Sequence, residues 1–220
     1  MIGLRIEVPV AGWRHSYARE YGESYPVPPP ATVYGMLLSM VGEINRYSHC
    51  GCKIAIALLS KPNRSTVLRT VRRVKIAREE FAKPNARPDF QELLTNIDLG
   101  IWVDGGADVG KPKLLERLQE AVAHPESVRR FGGLSLGESR DLINSVVLWR
   151  SEFESDICEW LVGDRNGYLA LPCWVDHAGS KKTCPGRYVL ADAGDLSLAD
   201  VLAGADCWSS IVPKGSCKYL

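Results

Sequence analysis

Apolar and polar residues alternate from Ile2 to Val10 in a segment rich in β-branched side chains, which predicts a first strand. A loop over 11–27 follows, carrying Trp13, Arg14, His15, Tyr17, Arg19, Tyr21 and Tyr25. Three prolines, Pro28, Pro29 and Pro30, then stiffen the lead-in to a helix over 30–44. Proline lacks an N–H and its fixed φ suits a first helical turn. Val33, Met36, Leu37, Met40 and Val41 recur there at helical spacing. Ile54–Leu59 is a continuous apolar run, as expected of a buried second strand. Thr66–Ile76 alternates again, with Val67, Val71, Val74 and Ile76 set among Arg and Thr. It reads as one arm of a projecting hairpin, with 93–96 returning. Ile97–Val103 is the third strand, closed by Gly105 and Gly106. Leu114, Leu115, Leu118 and Val122 give a second helix over 113–123, and Pro112 suits its start. A glycine-rich stretch over 131–137 leads to a fourth strand over 141–149.

The order β-α-β-β-α-β predicts an α+β, ferredoxin-like (RRM-like) core, in which an antiparallel four-stranded sheet packs against two helices. The RNA-recognition module uses the same plan. Residues 1–150 form this unit. The excursion over about 61–95 is too long for an ordinary hairpin loop and reads as a functional insertion. Residues 151–220 read as a small, β-rich appended subdomain, with strands over 168–175 and 188–191 and a short helix over 198–202.

Charge changes this picture. Residues 61–88 hold nine basic side chains (Lys61, Arg64, Arg69, Arg72, Arg73, Lys75, Arg78, Lys83, Arg87) against Glu79 and Glu80, a local charge of +7 in a chain of net +1. The appended segment carries six basic and ten acidic residues. Such separation makes a local footprint for phosphates; the alternative is a solvated basic loop. Side chains two apart in a strand share a face, so Arg69 and Arg73 fall on one face of the arm and Arg72 on the other.

Two further stretches suit nucleic acid. In Arg129–Arg140, read RRFGGLSLGESR, the glycines let the backbone approach phosphates closely, and exposed N–H groups in such turns bind anions. No Gly-Lys-Ser/Thr follows, which excludes a nucleotide-hydrolase loop. The plain alternative is a tight helix-to-strand turn. In Trp13–Tyr17, aromatic rings beside a cation suit stacked bases, against local packing over the sheet edge. Cys50 and Cys52 lack zinc-finger spacing and have no matching second pair, so no metal or other cofactor is expected. The four histidines lie in unrelated segments, and no spacing demands a catalytic set. His15, Tyr17 and Lys75 are the residues that an RNA-cleaving acid–base site would draw on. No apolar stretch approaches a membrane span, and no charged-then-apolar signal region opens the chain. The seven cysteines, an odd set without secretory context, suit reduced thiols in the cytoplasm.

Three features together resemble one family: YPVPPPATVYGML leading into the first helix, the basic insertion between the second and third strands, and FGGLSLGES before the fourth. They are similar to the fifth family of CRISPR-associated proteins (RAMP superfamily), over about residues 1–150. The resemblance implies a non-catalytic subunit that caps the 5′ handle of crRNA in a type I Cascade complex. It also implies a hairpin thumb, contacts with the backbone and large subunits, and proximity to target DNA. It implies no membrane or small-molecule partner. Carried over, Arg69, Arg72, Arg73 and Lys75 lie on or near the thumb. Arg130, Gly132, Gly133, Ser135 and Gly137 belong to the glycine-rich loop. Trp13, Arg14 and Tyr17 follow the first strand, where handle contacts are expected. One branch of the family cleaves precursor crRNA, but its catalytic set finds no match here. The remaining alternatives are that endoribonuclease and a scaffold binding DNA or an acidic protein face.

Overall fold

The computed structural model describes residues 1–19, 21–72, 86–177, 183–194 and 197–213. Its strands are β1 (Ile2–Ala11), β2 (Tyr21–Gly22), β3 (Lys53–Leu58), β4 (Asn63–Arg72), β5 (Ala86–Asp104), β6 (Ser145–Leu148), β7 (Glu159–Gly163), β8 (Leu169–Val175), β9 (Thr183–Asp192) and β10 (Ser209–Ser210). The helices are α1 (Pro30–Met40), α2 (Leu114–Ala123) and α3 (Leu198–Ala203). The fold is mixed α/β around a mostly antiparallel sheet ordered β6-β1-β5-β3-β7-β9-β8. The strands expected from the alternation therefore sit together, and those after residue 150 continue the same sheet through β3 and β7.

The pattern of each strand follows from what covers it. Ile2, Leu4, Ile6 and Val8 point to the main core, which α1 and α2 complete. Ile54, Ile56 and Leu58 join that core, while Ala55 and Ala57 enter a second cluster with Trp102 and Trp160 on the opposite face. A central strand buried on both faces reads as a continuous apolar run. Small residues make room for the indoles: a Cβ on Gly100 would lie 2.5 Å from Trp102 Cη2, and one on Gly3 2.7 Å from Trp149 Cβ. α1 is buried nearly all round because β8 covers its outer side, bringing Tyr34 near Trp174.

α1 stops at Met40, not at residue 44 as expected. Gly42 (φ +68°) sits in the left-handed region, and Glu43 N–H closes on Leu38 O at 2.8 Å, a glycine-ended helix stop. The fourth strand is shorter than expected, 145–148, because residues 134–143 are hydrogen-bonded into the glycine-rich loop instead.

β5 is the hinge of the architecture. From 97 to 104 it lies between β1 and β3, while from 86 to 95 it pairs with β4. The change falls at Asn96 (φ +59°), a conformation asparagine tolerates better than most residues. Ser60 secures the kink: its hydroxyl donates to Asn96 O at 2.7 Å and accepts from Asp98 N at 3.1 Å.

Candidate nucleic-acid interface

β4 and β5 pair antiparallel from Asn63↔Thr95 to Arg72↔Ala86, so the returning arm begins earlier than the expected 93–96. Arg69 stands opposite Asp89. Arg73 and Lys75 lie outside the described residues.

The loop after β1 is fastened to this hairpin. Tyr21–Gly22 pair in parallel with Phe90–Gln91 on β5. Glu92, buried on the same strand, accepts Ser24 N–H at 2.9 Å and pairs with Arg64 at 3.2 Å. Ser24 Oγ in turn accepts Trp13 N–H at 2.9 Å. Tying down a carboxylate with a cation and an amide together strengthens each contact.

The glycine-rich loop closes over the same place. Trp13 Nε1–H donates to Leu136 O at 2.9 Å. The Asp141 carboxylate accepts Glu138 N–H at 3.0 Å and Gly12 N–H at 3.4 Å. Burial pushes the Asp141 carboxyl above the usual carboxylate range, and those two amides and the nearby Arg69 charge oppose that rise. Gly137 (φ +130°) is required at the turn, since a Cβ there would also lie 2.8 Å from Asp141 Oδ2. Arg140 donates to Gln91 Oε1 at 2.7 Å, linking the loop to β5. Arg130, Gly132, Gly133 and Gly137 are exposed, and Ser135 is half-buried.

The loop after β1 divides its aromatic residues between two tasks. Trp13 is 3% exposed, so its ring supports the glycine-rich loop from beneath and offers no open face for a base. Tyr17 is 69% exposed. It hydrogen-bonds His15 Nδ1 at 2.8 Å, and His15 stacks on Tyr25 with centroids 3.8 Å apart. Arg14 closes its own loop by donating to Ala18 O and Arg19 O.

Between these pieces lies a cleft of about 420 Å³ lined by Trp13, Arg14, Ser135, Gly137, the start of α1 and His177. A second cleft of about 420 Å³ adjoins it along α1, lined by Arg46, Tyr47, Arg129, Arg130, Phe131 and Trp174. Gly35, Ser39, Arg46 and His177 line both. Several of these residues are not among those expected from the sequence, Phe131 and Arg46 among them. Phe131 is fully exposed, and an aromatic between Arg130 and Gly132 is a usable signal. Arg46 is a lone cation with no motif around it. Among the described residues no group of three His, Cys, Asp or Glu could hold a metal. His49 instead contacts Asp108 through Nδ1 and Arg117 through Nε2. Among the described residues no helix is long and apolar enough to cross a membrane.

Residues 1–161 match the family described as CRISPR-associated protein (Cas_Cas5). The chain is 43% identical over 187 residues to CRISPR-associated protein Cas5 of Myxococcus xanthus (strain DK1622), covering 83% of this chain and 86% of that protein. Its fold is similar to a chain of a CRISPR RNA-guided surveillance complex, with a TM-score of 0.62, 13% identity and coverage of 99% of this chain and 95% of that one. A crystal structure of a Cas protein matches with a TM-score of 0.51 and 13% identity, over 87% and 94% of the two chains. The matched residues include β1, the proline-led α1, the β4/β5 hairpin and the glycine-rich loop, and on this ground the chain belongs to the CRISPR-associated Cas5 family.

Proposed function

We propose that this chain is a non-catalytic subunit of a type I Cascade complex, which binds and caps the 5′ handle of crRNA and helps to seat the backbone and large subunits for DNA targeting in the cytoplasm. The β6-β1-β5-β3 order with α1 and α2 on one face supports a ferredoxin-like core, and the β4/β5 extension supports a thumb. The observation that carries the reading is convergence: the loop after β1 and the glycine-rich loop line one cleft and both are hydrogen-bonded to the β4/β5 hairpin, although the three lie far apart in sequence. A single-stranded RNA hook is recognised through stacking, phosphate contacts and 2′-hydroxyls. Arg69, Arg72, Arg73 and Lys75 on the thumb supply cations. Arg130 and the amides of Gly132, Gly133, Ser135 and Gly137 supply phosphate contacts, and Tyr17 offers an exposed ring. Trp13 and Arg14 shape the loop that holds them.

The test is binding of the purified protein, with its backbone partner subunit, to crRNA with and without the 5′ handle across a salt series. Handle-dependent binding with intact RNA is the expected result; equal binding to both RNAs overturns the assignment. The runner-up, a metal-independent endoribonuclease, is favoured by the contact between His15 Nδ1 and the Tyr17 hydroxyl at 2.8 Å, a pair able to exchange a proton. Specific cleavage of repeat RNA in EDTA would establish it, and intact RNA would remove it.

A further inference from the structure

Arg46 is held in an unusual way for a cation. Its guanidinium carbon lies 5.4 Å from the Tyr34 ring centroid and 5.3 Å from that of Trp174. Nη2 donates to Ala31 O at 2.6 Å. Nε is buried without an acceptor. No carboxylate lies within ion-pair distance of it among the described residues. The acids near the two clefts have partners of their own: Glu43 pairs with Arg117, Glu138 with Arg140, and Asp176 accepts the Tyr47 hydroxyl. Burial pulls the Arg46 pKa below its ordinary value, so the charge stands partly desolvated and uncompensated.

The remaining nitrogen, Nη1, lies against Gly35 of α1. It sits 3.3 Å from where a Cβ on Gly35 would be. Gly35 lies within α1 with ordinary helical φ, where glycine costs about 1 kcal/mol relative to alanine. The backbone conformation does not require a glycine there, and a Cβ would be a tight contact that the end of the Arg46 side chain relieves by moving a few tenths of an ångström. Arg46 lines both clefts, as do Gly35, Ser39 and His177. A partly desolvated guanidinium set against two rings on the lining of a groove suits a phosphate oxygen.

We infer that Arg46 is a phosphate-binding residue at the junction of the two clefts, and that it takes a phosphodiester of single-stranded RNA as the strand runs along α1 from Gly137 toward Phe131. The inference rests on the RNA-binding reading above and adds to it a site outside the thumb and the glycine-rich loop.

The experiment measures RNA affinity across a salt series for the protein with its backbone partner, comparing wild type with R46Q, G35D, G35A and R69E. G35D sets a carboxylate beside Nη1 while leaving Arg46 and its ring contacts in place, so it answers for R46Q should that variant fold poorly. R46Q and G35D should each weaken binding about tenfold and reduce the slope of log K against log salt by about 0.7, the loss of one phosphate contact to a single strand. G35A should keep the wild-type slope. A wild-type slope in G35D and in folded R46Q, with R69E impaired, overturns this site alone. Failure of wild type to bind RNA overturns the functional reading as well. Thermal stabilisation of wild type but not R46Q by inorganic phosphate, with unchanged RNA slopes, would assign the site to a free anion and overturn the proposal.

Discussion

The Trp13 indole N–H donates to the carbonyl oxygen of Leu136 at 2.9 Å, joining the end of the first strand to the glycine-rich loop. Both residues are buried, Leu136 completely. Trp13→Phe keeps most of the ring contacts and leaves that carbonyl without its partner, a loss of about 1–3 kcal/mol. Urea denaturation should show that loss, with RNA affinity falling as the loop loosens. Unchanged stability would mean that the bond does not hold the loop.

Asp108 anchors the start of α2. Its carboxylate accepts from His49 Nδ1 at 3.0 Å, Gly110 N at 2.8 Å and Leu114 N at 2.8 Å, the last being at the start of α2. Asp108→Ala orphans several buried donors and should cost about 3 kcal/mol. The salt dependence of RNA binding should not move in the protein that remains folded. A shifted salt slope would place Asp108 at the interface.

Charge and stacking separate in the next pair of variants. Reversal at Arg69, Arg72 and Arg73 together should weaken crRNA binding and flatten its salt dependence, because each lost phosphate contact removes about 0.7 from the slope for a single strand. An unchanged slope would remove the hairpin from the binding surface.

Phe131→Ala should behave differently. Base–aromatic stacking is worth about 1–3 kcal/mol per base. Affinity should therefore fall about tenfold at every salt concentration, with the same slope. Phe131 is fully exposed, so folding stability should be unaffected. Wild-type affinity would show that the ring stacks on no base.

Asp141 predicts a pH effect. Its carboxyl is held above the usual carboxylate range, chiefly by burial. In the interval between its unfolded and folded values the native state binds the extra proton, so stability falls as pH rises through that interval. Asp141→Asn cannot titrate there. Its stability curve should stay flatter than that of wild type from just above the usual carboxylate range, as read by denaturation at several pH values. Parallel curves would show that the group titrates normally.

Much of the framework is legible in the order of the residues. Alternation over Ile2–Val10 places β1, and the unbroken run at Ile54–Leu59 places β3 because its two faces meet two separate cores. The prolines place the start of α1. Its end falls four residues before the expected one, since Val41 and Ile44 keep the apolar pattern while Gly42 turns the chain out of the helix. The full length of β5 is hidden because Pro88, Asp89 and Asn96 interrupt its alternation, yet pairing with β4 holds the first two extended and the strand resumes beyond the kink at the third. Trp13 and Tyr17 have equal standing as stacking rings in the sequence; only burial distinguishes them.

The sequence by itself determined what depends on neighbours along the chain: strand alternation, helix lead-in, the basic character of residues 61–88 and the family motifs. Periodicity and φ restrictions act over a few residues, so they can be read locally. Tertiary structure alone decided which distant residues meet. Trp174 closes over Arg46, Gln91 reaches Arg140, and Leu136 receives Trp13. Those encounters are set by how two cores pack on one sheet and by which buried polar groups find partners, and no short window of residues carries that information.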